Sequence, residues 1–457
     1  MNRAFNPGSP TLPSAGYLRV LTRFDATMLV IGSIIGAGVF FTPNDIAQVA
    51  QDRTTMTAVW LIGGLIALTG SLTYAELGGM FPRAGGVYVF LREAFGGLPA
   101  FLYGWALILV IAPGALAIVA GFFATNLRTL LTVLPGWADT PLALAAIVSL
   151  TLVNIRGVRQ GSTVQNVVTL AKLVPLLLLI VGGLLYAGEP RLPADPQTVP
   201  APSHAGLAAL LFAMMPVMFS YGGWQNGTYV AGEMKRPQRD LPMAVIGGTL
   251  VVIVCYVLVN FAYLRILSPG AIAGSRGFAA LAAEAALGRA GGVVVAAGIV
   301  VSTFGICAAI LLTNPRVAQA VGEDGLFFRG FGRLHPRFRT PWWAIGVLGG
   351  WACLLLLVGG AGQLLNAVVF ADWVFFALTA VTLFVLRRRR PDAERPFRCP
   401  LYPWVPALFF LLASAMAVLT FVKSDLLSRL LGPGILLAGV PVYWVFRSRR
   451  SLRTRGP

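Results

Sequence analysis

Apolar runs long enough to cross a bilayer recur along the whole chain, and short polar segments rich in glycine, proline and arginine separate them. A helix needs about 20 apolar residues to span a hydrocarbon core. On that measure the pattern predicts twelve spans, at 25–49, 56–79, 98–125, 141–156, 163–187, 206–232, 241–266, 290–319, 342–359, 364–386, 402–422 and 427–448. Two of them are broken in the middle. The first carries Gly32-Ser33-Ile34-Ile35-Gly36-Ala37-Gly38, and the sixth carries Ser220-Tyr221-Gly222-Gly223. Helix interiors avoid glycine, and lipid does not tolerate unpaired backbone groups, so such breaks belong where they line a cavity. At about 1.5 Å per residue both fall near the bilayer midplane.

The polar, Pro-rich connection 188–205 separates the first five spans from the next five. An odd number of spans per half makes the second half start from the opposite side, and paired interrupted helices at matching positions mark inverted-repeat transporters. Residue identity between the halves is weak; hydropathy and break position carry the repeat. The expected organisation is a tail at 1–24, a first repeat at 25–188, a second at 206–388, a helix pair at 402–448 and a tail at 449–457. Between spans, 78–86 reads as a turn-rich linker, 87–95 as a short amphipathic helix, and Phe278-Ala279-Ala280-Leu281 as a short helix in the external segment 270–288.

Composition closes off the soluble classes: 57% of residues are hydrophobic, 11% charged, and the mean hydropathy is +0.78. The net charge of +18 would suggest a nucleic-acid partner in a soluble chain. Here 26 of the 35 Lys and Arg fall in segments that share a side with the N-terminus, eight fall on the other side, and Lys172 lies within a span. The positive-inside rule therefore puts both termini in the cytosol, and the charge is topological. No cleavable signal peptide is expected, since residues 1–23 are polar and the first span exceeds a signal h-region. Cys255, Cys307 and Cys353 fall within spans and Cys399 in a cytosolic loop, so no disulfide is expected. No spacing suggests a metal, no cofactor is implied, and no nucleotide-binding glycine loop appears.

An unwound helix presents N–H groups with a positive dipole end on one side and carbonyls with a negative end on the other. A carboxylate and an ammonium on one carbon fit both. The amides of Gly36, Ala37 and Gly38 are expected to hold the carboxylate, and the carbonyls of Ile34, Phe219 and Gly222 the amine. Ser33, Ser220 and Gly223 complete the substrate-binding set. The bland alternative is that the glycines only permit close helix packing. Phe219 is a candidate gate and Trp224 a candidate pocket wall. Lys172 lies about 13 Å into its span, too deep to reach out fully. Its expected partners are the carbonyls near Gly32 and Ser33, with Ser302 and Thr303 alongside; the bland alternative is a lysine lining a wet crevice without coupling. Asp372 enters its span from the external side and either pairs across the bundle or faces the vestibule. Glu76 and Glu233, near Arg83 and Lys235/Arg236, read either as gate or loop ion pairs or as solvated span ends.

Several motifs also resemble one family. Gly32 to Phe40, then Tyr74-Ala75-Glu76-Leu77 with Pro82-Arg83 and Gly85-Gly86-x-Tyr88, then Phe219 to Trp224 with Glu233 and Arg239-Asp240-Leu241-Pro242, are similar in order to the amino acid–polyamine–organocation superfamily. The nearest branch resembles the L-type amino acid transporters and their bacterial relatives. The resemblance implies a leucine-transporter-like 5+5 inverted repeat plus two extra helices, and backbone recognition of an amino acid at the positions just named. It implies that the Lys172 ammonium occupies the place where sodium-coupled members keep a cation. Ala37 stands where many animal relatives carry serine, and loop 126–140 lacks the cysteine that attaches them to a glycoprotein, so no heavy-chain partner is expected. The function expected is sodium-independent exchange of neutral L-amino acids across a bacterial cytoplasmic membrane. A proton-coupled cationic amino acid or polyamine permease is the alternative and would need Asp372 in the pocket; a membrane-embedded enzyme or sensor is the reading from another class.

Overall fold

The computed structural model describes residues 16–131, 133–193, 199, 201–358, 361–424 and 426–453. Residues 1–15 of the expected N-terminal tail, 194–198 and 200 of the external connection, 359 of the ninth expected span and 454–457 of the C-terminal tail lie outside the described residues. The described chain is helical, with two isolated bridges, Leu21 to Met234 and Arg191 to Leu267, as its extended pairings. Among the described residues eleven helical segments are long and apolar enough to cross a membrane, and a shorter apolar helix, Trp342–Val358, joins them.

The first span is two helices, α1 (Arg23–Ile34) and α2 (Gly38–Val49). Thr22 caps α1 through a reciprocal capping box with Asp25, which fixes where the helix starts. Ile35 then turns extended and ends it. The unbroken α3 (Arg53–Met80) follows, then the short α4 (Val87–Phe95). The third span is α5 (Gly97–Ala106) and α6 (Ala112–Leu130), joined by a π-helical segment at Leu107–Ile111. The first half closes with α7 (Asp139–Arg156) and α8 (Val158–Leu185).

The sixth span breaks between α9 (Gly206–Tyr221) and the single turn α10 (Asn226–Tyr229). Gly223 at the break has φ 128°, a conformation L side chains avoid. Beyond it run α11 (Pro237–Ile266), the short α12 (Pro269–Ala273) and the long α13 (Phe278–Glu323). At Gly288, φ 75° bends α13, so its first ten residues form a separate helical piece in the segment where a short helix is expected. The chain ends with α14 (Trp342–Val358), α15 (Ala361–Arg389), α16 (Trp404–Lys423) and α17 (Leu426–Arg453). Helix α11 lies along α3 and α1, α13 along α8 and α6, and α15 along α16. These helices form the frame in which the two broken spans sit.

Carboxylates at the arginine-rich end pair differently from the expectation. Glu76 accepts from Arg387 at 2.6 and 2.9 Å and from the Cys399 amide at 2.6 Å, with Arg395 at 3.2 Å. Glu233 is bound by Arg316 of α13 at 3.0 and 3.2 Å, and both side chains are buried. Burial pushes the Glu233 carboxyl up, and the Arg316 guanidinium pulls it back. Lys235 and Arg236 stay exposed and Arg83 half-buried. Those near-sequence cations remain hydrated, while the carboxylates turn inward to arginines from distant helices. The N-terminal segment lies over this pair: Leu21 N–H donates to Glu233 O and Leu21 O accepts from Lys235 N–H, both at 2.9 Å, and Tyr17 is buried beside it.

Candidate substrate site at the paired helix breaks

The two breaks lie directly against each other. A Cβ on Gly223 would run into the Ser33 carbonyl and the Ile34 nitrogen, and one on Gly38 would run into Ser220. Glycine at these two positions lets one unwound backbone rest on the other. Tyr256 of α11 then joins them: its hydroxyl lies 2.9 Å from Ile34 O and 3.3 Å from Ser220 O, bridging carbonyls of both breaks. The Phe219 carbonyl accepts from the Gly222 amide at 3.2 Å. Two of the three carbonyls expected to hold an amine therefore already accept one hydrogen bond each. A carbonyl oxygen has two lone pairs, so each retains room for a second donor.

The amides of Gly36, Ala37 and Gly38 stand at the N-terminus of α2, where the first N–H groups of a helix lack intrahelical partners. Gly36 is buried under Ile306 of α13, while Ala37, Gly38 and Gly222 are partly open. Ser220 lies against Gly38, and its hydroxyl is already engaged, shared with Thr42 at 2.7 Å and donating to Pro216 O at 3.1 Å. Among the described residues the buried Ser33 hydroxyl has no partner. Gln225 accepts the Gly223 amide at 3.0 Å.

Lys172 of α8 is wholly buried and donates to the carbonyls of Gly32 and Ile35, each at 2.7 Å. Ile35 stands where Ser33 was expected, because the chain turns extended after Ile34 and swings the next carbonyl toward α8. Ser302 of α13 reaches the same Ile35 carbonyl at 3.4 Å. Thr303 does not join, and its hydroxyl bonds back to Ile299 and Val300 of its own helix. The ammonium thus sits on the negative end of α1, where a cation is stabilised by the helix dipole.

The aromatic residues separate. Phe219, near the end of α9, is 55% exposed, as are Leu207 and Leu211 earlier on that helix. Trp224 faces the other way: it is fully buried against Phe376 and Phe409, with ring centroids at 5.5 and 6.1 Å, and it closes on Gly70 of α3. Asp372 on α15 is half-buried and lies near the tyrosines of α3, α5 and α10, of which Tyr103 and Tyr229 share a hydrogen bond at 2.5 Å.

Sequence reasoning missed Tyr256, Ile35, Thr42 and Gln225. A tyrosine in the middle of an apolar span was a visible signal, but nothing in the sequence said which carbonyls it would meet.

Comparison with known proteins gives the family. The profile described as amino acid permease matches residues 21–446. The serine/threonine exchanger SteT of Bacillus subtilis is 34% identical over 437 residues, covering 93% of this chain and 96% of the relative. The b(0,+)-type amino acid transporter 1 of Mus musculus is 30% identical over 421 residues, 92% of this chain and 86% of the relative. The cystine/glutamate transporter of Pongo abelii is 30% identical over 433 residues, 94% and 85% respectively. Broken helices packed break to break, with a profile match over nearly the whole length, place the chain in the amino acid permease family.

Proposed function

We propose that the protein exchanges neutral L-amino acids across a bacterial cytoplasmic membrane, independently of sodium, by alternating access around the paired breaks. The observation that carries this reading is the Lys172 ammonium on the Gly32 and Ile35 carbonyls. A fixed internal cation there removes the need for a bound one. The α2 amides of Gly36, Ala37 and Gly38 receive the substrate carboxylate, and the remaining lone pairs of Ile34, Phe219 and Gly222 receive its amine. Ser33 and Ser220 then act as supports of the break rather than as direct contacts, and Phe219 closes over the substrate. A relative named as a serine/threonine exchanger supports a small neutral side chain. Support for a twelve-span 5+5 inverted repeat, bounded at 25–188 and 206–388, comes from the two break positions and the helix series around them. The arginine asymmetry supports both termini in the cytosol. The chain works without a heavy-chain glycoprotein on this reading.

Reconstituted exchange tests it. Liposomes loaded with labelled serine are expected to lose label only when a neutral amino acid is present outside, at the same rate with and without sodium. Efflux that required sodium, or that only lysine or a polyamine could drive, would overturn it in favour of the cationic reading through Asp372.

A further inference from the structure

The two halves of the first span have different neighbours. Helix α1 lies along α11 and α8, whereas α2 lies along α9 and α12. Side chains of α8 hold α1: Ser162 and Asn166 donate to the Asp25 carboxylate at 3.2 and 2.6 Å, Thr169 donates to Met28 O at 3.2 Å, and Lys172 takes the carbonyls at the break. Helix α2 is tied instead to external segments. Asn44, buried on α2, donates through its side-chain amide to the carbonyls of Ile272 and Ala273 at 2.6 and 2.9 Å, with Ser275 O at 3.3 Å. Its oxygen accepts from Gln48 at 2.9 Å, which fixes the nitrogen toward those carbonyls. Ile272 and Ala273 close α12, and the last carbonyls of a helix lack partners within it, so Asn44 supplies from α2 what α12 cannot supply itself. One turn further on, the carbonyls of Gln48 and Val49 accept from the amides of Ser203 and His204 at 3.2 and 3.1 Å, just before α9 begins.

Asn44 follows Gly38 by six residues on the same helix, about 9 Å along its axis. Helix α2 therefore has a substrate end at the break and an external end at Asn44. Resting on the reading of Gly36, Ala37 and Gly38 as the carboxylate site, we propose that Asn44 is a positioning residue for exchange. It makes the external segment 268–277 move as one body with α2, so that a carboxylate bound at one end of the helix shifts the segment held at the other. The shift takes place about Ile35, where the chain is extended rather than helical, while α1 stays on α8. Pro43 removes one rung from the α2 ladder. The α9 side splints that point: Thr42 before it shares a hydrogen bond with Ser220, and Gln48 after it accepts from Ser203. Without the Asn44 amide the α12 carbonyls lose their donor, and the segment no longer follows the helix.

Deuterium uptake of the full protein in lipid nanodiscs, read by peptide mass with and without saturating serine, tests this. In the unaltered protein serine is expected to slow uptake in peptides covering 36–49 and, together with them, in peptides covering 268–277. Asn44→Ala should keep the slowing in 36–49 and lose most of it in 268–277. Its exchange rate in proteoliposomes should fall at least about fivefold with serine affinity held within about threefold, since the buried carbonyls that lose a donor lie away from the break. Ser268→Ala removes the N-cap of α12 without touching α2. It should speed uptake in 268–277 in both states and keep the serine-dependent difference. Slowing of 36–49 alone in the unaltered protein would overturn the proposal, and that measurement decides even where a variant fails to fold. An Asn44→Ala protein in which both segments still respond would overturn it, as would a Ser268→Ala protein that loses the difference to the same extent. Slowing of neither segment in the unaltered protein would overturn the carboxylate reading of α2 itself, and the proposal with it.

Discussion

Lys172 is the residue on which most of the site depends. Its ammonium satisfies two backbone carbonyls in a dry interior, and leaving a buried acceptor unpaired costs about 1–3 kcal/mol. Lys172→Ala is therefore expected to lower the initial exchange rate at least about tenfold, measured in proteoliposomes, with no rescue by sodium. An unchanged rate with unchanged pH dependence would show that the lysine only lines a crevice. Its depth was legible from its position in an apolar run. Its second partner was not, because the choice between Ser33 and Ile35 depends on one backbone torsion at the break. Cys399 gives a second test at this scale. It is 4% exposed, and burial pushes its thiol up to about 12. At pH 7.5 it should therefore stay protonated and resist maleimide, read by peptide mass, until the protein is denatured. Rapid labelling of the folded protein would mean that the connector around Glu76 opens.

At the scale of elements, the two breaks were visible in the sequence, and so were the short helix after Gly86 and the one at Phe278. These features follow from local chemistry: glycine interrupts, apolar spacing sets a face, and a polar cap starts a helix. What the sequence could not convey is that the breaks touch. Gly223 combines φ 128° with a backbone neighbour where a side chain would go, so it has two reasons to be glycine. Gly223→Ala is expected to push the α9–α10 break off α1 and to abolish exchange, while Gly247→Ala, which meets nothing on the open face of α11, should leave exchange intact. Normal exchange by Gly223→Ala would mean that the breaks separate freely. Trp224 shows the limit of reading aromatics by proximity. It follows the break in sequence, yet after the positive φ at Gly223 its ring packs on Phe376 and Phe409.

For the whole molecule, the arginine-rich end is tied together by charges that sequence neighbours do not supply. Glu233 and Arg316 are 83 residues apart and fully buried, under a strap formed by residues 17–21. Removing one partner of a buried pair strands the other charge and costs about 3–5 kcal/mol. Glu233→Gln should therefore lower the Tm in detergent by several degrees, and the double variant Glu233→Leu, Arg316→Leu should recover most of it. If the double variant is no more stable than the single one, the pair is not what holds that end. The carboxylates were legible as unusual, since a glutamate close to an apolar span asks for a partner. The partners were not, because they depend on which helices become neighbours across the bundle.

The central claim is that the paired breaks read the backbone of an amino acid, with amides for its carboxylate and carbonyls for its amine. Exchange driven by modified substrates tests that most directly. With labelled serine inside proteoliposomes, external serine should drive efflux, while serinamide, which lacks the carboxylate, and N-acetylserine, which lacks the amine, should each drive at least about tenfold less, since each loses a charge-assisted set of hydrogen bonds. Efflux driven equally well by either analogue would show that the corresponding break does not hold the substrate.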